Sequence, residues 1–343
     1  MEKSSPEKQI ELTENHLEEL SKLLGVSSNS TSWRKKIRIH QGWWRAFVLG
    51  VPQGEYHDKK NNVWKKVCNR VFEETSSGNI NFLGEAASKA AMTTLKDRGA
   101  PSSGMVDESR LKYNLLSSQP LCFNFFGELK EDPEFGLRVL QTWWPNLTRL
   151  NQVLFEFAPK TKDSDDNSAF DIAFEVEYGD KTGIIGLECK YTDSFSFKPQ
   201  NSKIFYGDIG SKGHKRYSEI FEDSRNSFSR EYYEYVRAKE INQLFRNQLI
   251  AGRIVQNPKL EYNFVKTGLF CFEGDKDAIA SGLKLKSMLT DSESFQVITY
   301  MDFIRAVQKL DIGWKKREWS MMLWARYCAL ELSDPIYQKV KKG

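Results

Sequence analysis

The chain has 343 residues, 40% hydrophobic and 28% charged, a balance that suits a globular protein with one large core or two modest ones. No stretch approaches the roughly 20 apolar residues of a membrane span, and the acidic, polar start MEKSSPEKQIELTENHLEEL is unlike an export signal, so a cytoplasmic protein with no membrane partner is expected. Five scattered cysteines, four widely separated histidines and the lack of a Gly-rich phosphate loop argue against a disulfide framework, the common zinc-hydrolase spacings and a nucleotide-driven motor.

Residues 1–31 read as an appendage, a short helix IELTENHLEELSKLLG stopped by Gly25 and a Ser-rich linker. From 33 to 50, Trp33, Ile37, Trp44 and Val48 suggest an amphipathic helix, and 54–78 is polar and expected to be rich in loops. An Ala-rich helix follows over 79–99, ended by Gly99. RLKYNLLSSQPLCFNFFGELKED then leads into PEFGLRVLQTWWPNL, with Pro133 suited to an early helical position and Pro145 to an end. The period then changes. QVLFEFAP (152–159), AFDIAFEVEY (169–178) and TGIIGLECKY (182–191) are strand candidates, the last two joined through GDK as a hairpin.

Beyond a polar, basic loop over 193–216 the chain alternates a helical region (231–252), strand YNFVKTGLFCF, helix KDAIASGLKLKSML, strand FQVITY and helices MDFIRAVQKL and EWSMMLWARYCALEL. The class is α/β (α+β), a mixed central β-sheet flanked by helices, with a helical N-terminal region. The expected division is 1–31 (appendage and linker), 32–110 (helical and loop-rich) and 111–343 (core with C-terminal helices).

The net charge of +4 is too small by itself to announce a nucleic-acid partner. Its distribution says more. In WRKKIRIHQGWWR (33–45), KKNNVWKK (59–66) and GWKKREW (313–319), Lys and Arg alternate with Trp, which reads either as phosphate neutralisation with stacking surfaces or as a Trp core face opposite a solvated basic face.

In GIIGLECKYTDSF (183–195) a carboxylate and an ammonium interrupt an apolar strand. Alternation puts Glu188 and Lys190 on one face and Leu187, Cys189 and Tyr191 on the other. Asp171 lies on the preceding strand, where hairpin pairing brings it near Glu188. Two carboxylates so placed repel unless a divalent cation lies between them, and hard oxygen donors with room for waters suit Mg²⁺. From the residues alone, a metal site beside a cationic catalytic group and a salt-bridged hairpin both remain open. Glu-x-Lys recurs at Glu128 and Lys130, in polar context.

Asp, a hairpin and Glu-x-Lys resemble the active site of the PD-(D/E)XK nuclease superfamily. With RKKIRIHQGWWRAFVLG, NFL, RLKYNLLSSQPLCFNFFGEL, VLFEFAP, AFDIAFEV, IGLECKYTDSF and NQLFRNQL, the text is similar, over roughly 33–300, to the bacterial putative restriction endonucleases of that superfamily. The resemblance implies a restriction-endonuclease-like core in which Asp171 and Glu188 bind Mg²⁺, with Mn²⁺ as a substitute, and Lys190 assists the water or phosphate. Glu156 matches a further carboxylate position, as metal or water ligand or as a strand-edge charge. Gln243 matches a helical Gln that faces the site, or belongs to a polar helix face. Phe170 stands where the superfamily name has proline.

Ser117, Ser118, Gln119 and Asn124 are read as backbone-bonding or capping residues with a structural role. Lys198, Lys203, Lys212, Lys215 and Arg216 would track a DNA backbone or form a solvated loop. The expectation is a Mg²⁺-dependent DNA endonuclease in restriction or anti-phage defence, acting as a homodimer or with a methyltransferase or other defence partner. The rivals are a catalytically silent nucleic-acid-binding module of the same fold and an RNase or abortive-infection effector.

Overall fold

The computed structural model of the chain describes residues 32–58, 60–73, 79–98, 104, 106–158, 169–192 and 243–334. The expected N-terminal helix, the basic loop with Lys198, Lys203, Lys212, Lys215 and Arg216, and the first part of the 231–252 helical region lie outside the described residues. The chain divides into two units, Met1–Ser77 with Ala329–Gly343, and Gly78–Cys328.

In the first unit, helix α1 (Ser32–Trp43) runs into a π-helical turn (Trp44–Val48), and strands β1 (Gln53–Asp58) and β2 (Val63–Val71) pair antiparallel. Ile37 and Trp44 are buried as the helical spacing predicts, whereas Val48 is exposed. The loop-rich reading of 54–78 is overturned by the hairpin. Its tip presents both faces to solvent, with Tyr56, Val63 and Trp64 exposed. A strand wetted on both faces shows none of the apolar alternation by which strands are recognised.

The second unit contains α2 (Glu85–Lys96), α3 (Glu108–Tyr113), α4 (Ser118–Glu131), α5 (Pro133–Leu140), β3 (Arg149–Phe157), β4 (Phe170–Tyr178), β5 (Lys181–Lys190), α6 (Gln243–Gln256), β6 (Phe264–Cys271), α7 (Lys276–Ser287), β7 (Phe295–Thr299), α8 (Tyr300–Lys309) and α9 (Trp314–Tyr327). The sheet order is β3-β4-β5-β6-β7. The β3–β4 and β4–β5 pairs are antiparallel, β5–β6 and β6–β7 parallel. This is the mixed sheet with flanking helices expected from the change of period. The β4–β5 turn is two residues, Gly179 and Asp180, because Tyr178 already pairs with Lys181. Gly179 takes φ 64°, a left-handed backbone that glycine adopts without steric cost.

Helix α4 explains the SSQPLCFNFF run. Ser117 caps it, its hydroxyl accepting from the Gln119 N–H at 3.3 Å. Phe123, Phe125 and Phe126 are buried to 1% exposure or less, and the Phe125 ring meets those of Phe270, Tyr300, Phe303 and Tyr327. Each such side chain contributes about 1.5–3 kcal/mol by leaving water. Asn124 ties the layers together: its amide donates to the Asn81 carbonyl at 3.1 Å and the Tyr327 hydroxyl at 2.8 Å, and its Oδ1 accepts from the Leu83 N–H. The structural reading of Ser117 and Asn124 therefore holds. Helix α9 begins four residues before EWSMM, where Gly313 starts it and Lys316 of the first turn reaches Asp132. No described helix is long and apolar enough to cross a membrane.

Candidate active site

Sheet register decides which charged groups meet. Phe155 pairs with Ile172 and Phe157 with Phe170, so Glu156 stands opposite Asp171. Ile172 pairs with Leu187, so one step further Asp171 stands opposite Glu188. Three carboxylates thus form a row across three neighbouring strands, where directly opposed side chains start only about 5 Å apart. On the other face of β5, Leu187, Cys189 and Tyr191 are 1% exposed and hold the strand in the core.

Each charged group has a defined partner. The Lys190 ammonium lies 2.9 Å from Glu188 Oε1 and donates to Gln243 Oε1 at 2.8 Å. The second Glu188 oxygen accepts from Asn247 Nδ2 at 2.7 Å. Asp171 Oδ2 accepts from the Cys189 backbone N–H at 2.6 Å, so a side chain takes the donor at the end of the β4–β5 ladder. Glu156 Oε1 accepts from Gln119 Nε2 at 3.1 Å. Tyr300 donates its hydroxyl proton to the Lys190 carbonyl and anchors the end of β5. Gln119 lies in the first turn of α4 and Gln243 lies on α6, so two helices turn amide side chains toward the charged row.

Glu156 departs from the pleat, with φ 50°, a left-handed conformation that costs a non-glycine residue about 1–3 kcal/mol and tends to persist at functional sites. Gly104 supports it, donating its N–H to the Glu156 carbonyl at 2.6 Å. A Cβ at Gly104 would stand 2.9 Å from both the Glu156 carbonyl oxygen and Oε2, so only glycine fits there without movement.

The electrostatics follow from crowding anions away from water. Burial lifts the Glu156 carboxyl, the Gln119 hydrogen bond pulls it back and Glu188 pushes it up again, leaving it at about 7. Asp171 is held well above the usual carboxylate range, by burial first and then by repulsion from Glu188 and Glu156, against the opposing effects of Lys190 and the Cys189 N–H. A site that resists ionisation in this way favours any arrangement that brings in positive charge.

Asp171, Glu188, Lys190, Glu156 and Gln243, all named from the sequence, converge here. Among the described residues no three His, Cys, Asp or Glu side chains stand close enough together to hold an ion. Their donor chemistry nevertheless fits a hard divalent cation, since Mg²⁺ takes one or two carboxylates and keeps several waters.

Three participants escape sequence reading. Gln119, read as a backbone-bonding residue, does accept from the Asp107 N–H at 3.3 Å through Oε1, and it also bonds a site carboxylate through Nε2. Asn247 is 2% exposed and its Oδ1 has no partner among the described residues; the available signal was its position four residues after Gln243, which puts both on one helix face. Gly104, in the APSSG break, carried no signal at all.

A family model described as the PD-(D/E)XK nuclease superfamily matches residues 28–329. Comparison with curated proteins and with solved structures yields no match.

Proposed function

The chain belongs to the PD-(D/E)XK nuclease superfamily, and from that premise we propose that it is a Mg²⁺-dependent endonuclease hydrolysing DNA phosphodiester bonds at the Glu156–Asp171–Glu188 row. The observation that carries this reading is the pairing of that row with a lysine 2.9 Å from Glu188. A bound divalent cation would neutralise the crowded carboxylates and make its water more acidic. Asp171 and Glu188 are the proposed ligands, with Glu156 as a further metal or water ligand. Glu156 would also accept the proton that the attacking water gives up.

Lys190 neutralises charge on the scissile phosphate as the water oxygen adds to phosphorus and the ester oxygen departs. Gln243 positions that ammonium through its 2.8 Å contact, and Asn247 orients Glu188 from the other side. A restriction or defence role and a methyltransferase or defence partner belong to the same proposal and rest on the family resemblance; a homodimer rests on the two active sites that cutting both strands of a duplex calls for, and a cytoplasmic setting is proposed with them.

The test is cleavage of plasmid DNA, and of an RNA of matched length, by wild type, Asp171→Ala, Glu188→Ala and Lys190→Ala, with Mg²⁺ and with EDTA. Metal-dependent cleavage by wild type alone is expected. Equal cleavage by all four proteins would sink the assignment, and cutting confined to RNA would move it to an RNase.

A further inference from the structure

One stretch of the first unit carries positive charge out of proportion to its length. From Ser32 to Glu73 the sequence has ten Lys and Arg against three Asp and Glu, in a chain whose net charge is +4. No acidic residue occurs between Ser32 and Gly54. A polyanion is the partner that such an imbalance complements.

The β1–β2 hairpin adds a second feature that charge alone does not require. Register places His57 opposite Trp64 and Glu55 opposite Lys66, so these four share a face. The Trp64 indole is 68% exposed. Its ring lies 5.2 Å from that of His57 at a tilt of 44°, and His57 is itself bonded to Asn62 at 3.1 Å. Lys66 on this face and Lys60 in the connecting turn are exposed, while Lys65, on the other face, is fixed by Asp58 at 2.5 Å. An aromatic plane held out of the core among cations matches what unpaired bases require: a stacking platform with phosphate neutralisation alongside. A base stacked inside a duplex offers no face to such an indole, which separates this mode from groove reading.

We propose that this hairpin face holds single-stranded nucleic acid, with Trp64 stacking on an unpaired base and Lys60 and Lys66 neutralising the flanking phosphates. The inference rests on the nucleic-acid reading above for the class of ligand, and otherwise on the first unit alone.

It is tested on the full chain in EDTA, where no metal-dependent cleavage intervenes. Fluorescence anisotropy follows a labelled mixed-sequence deoxyoligonucleotide of about 20 nucleotides, a length that exceeds a typical single-strand site, with the matching duplex in parallel, across a range of NaCl. W64A should weaken single-strand binding by about ten-fold, while W64F retains most of it. The double variant K60Q/K66Q should flatten the slope of log K against log salt by roughly 1.4, for two phosphates on a single strand. Unchanged binding by W64A overturns the proposal, and so does an equal loss on strand and duplex. If cleavage fails in the metal assay while this binding behaves as described, the catalytic proposal alone falls. Metal-dependent cleavage together with indifferent binding by W64A removes the hairpin proposal alone.

Discussion

Glu156→Gln probes the carboxylate row through stability. Glu156 is 9% exposed, and its carboxyl is held at about 7 instead of its ordinary 4.5. A carboxyl that binds its proton more tightly in the folded state favours folding most where both states are protonated, below about pH 4.5. That stabilisation declines as pH rises and is lost once pH passes about 7. At about 1.4 kcal/mol per tenfold change in proton affinity, the difference amounts to about 3 kcal/mol. Glutamine keeps the shape and still accepts from Gln119 but has no proton to lose. In urea melts in EDTA, wild type should therefore lose about 3 kcal/mol relative to E156Q between pH 4.5 and 8. Asp171 titrates in both proteins, but an ionised Glu156 pushes it up only in wild type, so its contribution widens the gap between the two profiles. Added Mg²⁺ should restore wild type at pH 8 far more than the variant. Parallel pH profiles for the two proteins would refute the reasoning.

Asp171→Asn keeps an acceptor for the Cys189 N–H while removing an anion that its surroundings disfavour; it should stabilise the metal-free protein at pH 8 by about 1 kcal/mol in urea melts and abolish Mg²⁺-dependent plasmid cleavage. Asn247→Ala removes the 2.7 Å bond to Glu188 and should lower Mn²⁺ affinity and cleavage by about 10–100-fold, read by metal titration beside the activity assay, with Asn247→Asp placing a like charge there and faring no better. Gly127→Ala forces a Cβ to within 2.7 Å of the Ala87 backbone; the α2–α4 contact should lose about 1–3 kcal/mol in urea melts, with no selective effect on the metal response.

The sheet was legible because its strands carry apolar alternation that survives in the text, and because glycine marks the β4–β5 turn. Asp171, Glu188 and Lys190 were legible for the converse reason: charges on such a strand violate the pattern. The amides were harder to find. Gln119 and Asn247 are uncharged residues on helices whose partners lie 37 and 59 positions away, so nothing local distinguishes them from capping or surface amides. Gly104 acts through the absence of a side chain, visible only once Glu156 is in place. The first-unit hairpin failed to register because the only apolar side chains its strands bury are Cys68 and Val71, beside Gly54 and Asn69, and period-2 reading detects burial, not extension.

The Asp171 side chain that takes over the Cys189 N–H also makes that amide a spectroscopic probe. Selective ¹⁵N-cysteine labelling of a chain with five cysteines gives five backbone amide resonances, and Cys189 is identified by its loss in a Cys189→Ser sample. Its proton resonates downfield while it faces an ionised carboxylate and moves upfield when Asp171 takes a proton or turns its oxygen toward a cation. One peak in a two-dimensional spectrum therefore reports the charge state of the site in the intact protein, with neither substrate nor turnover.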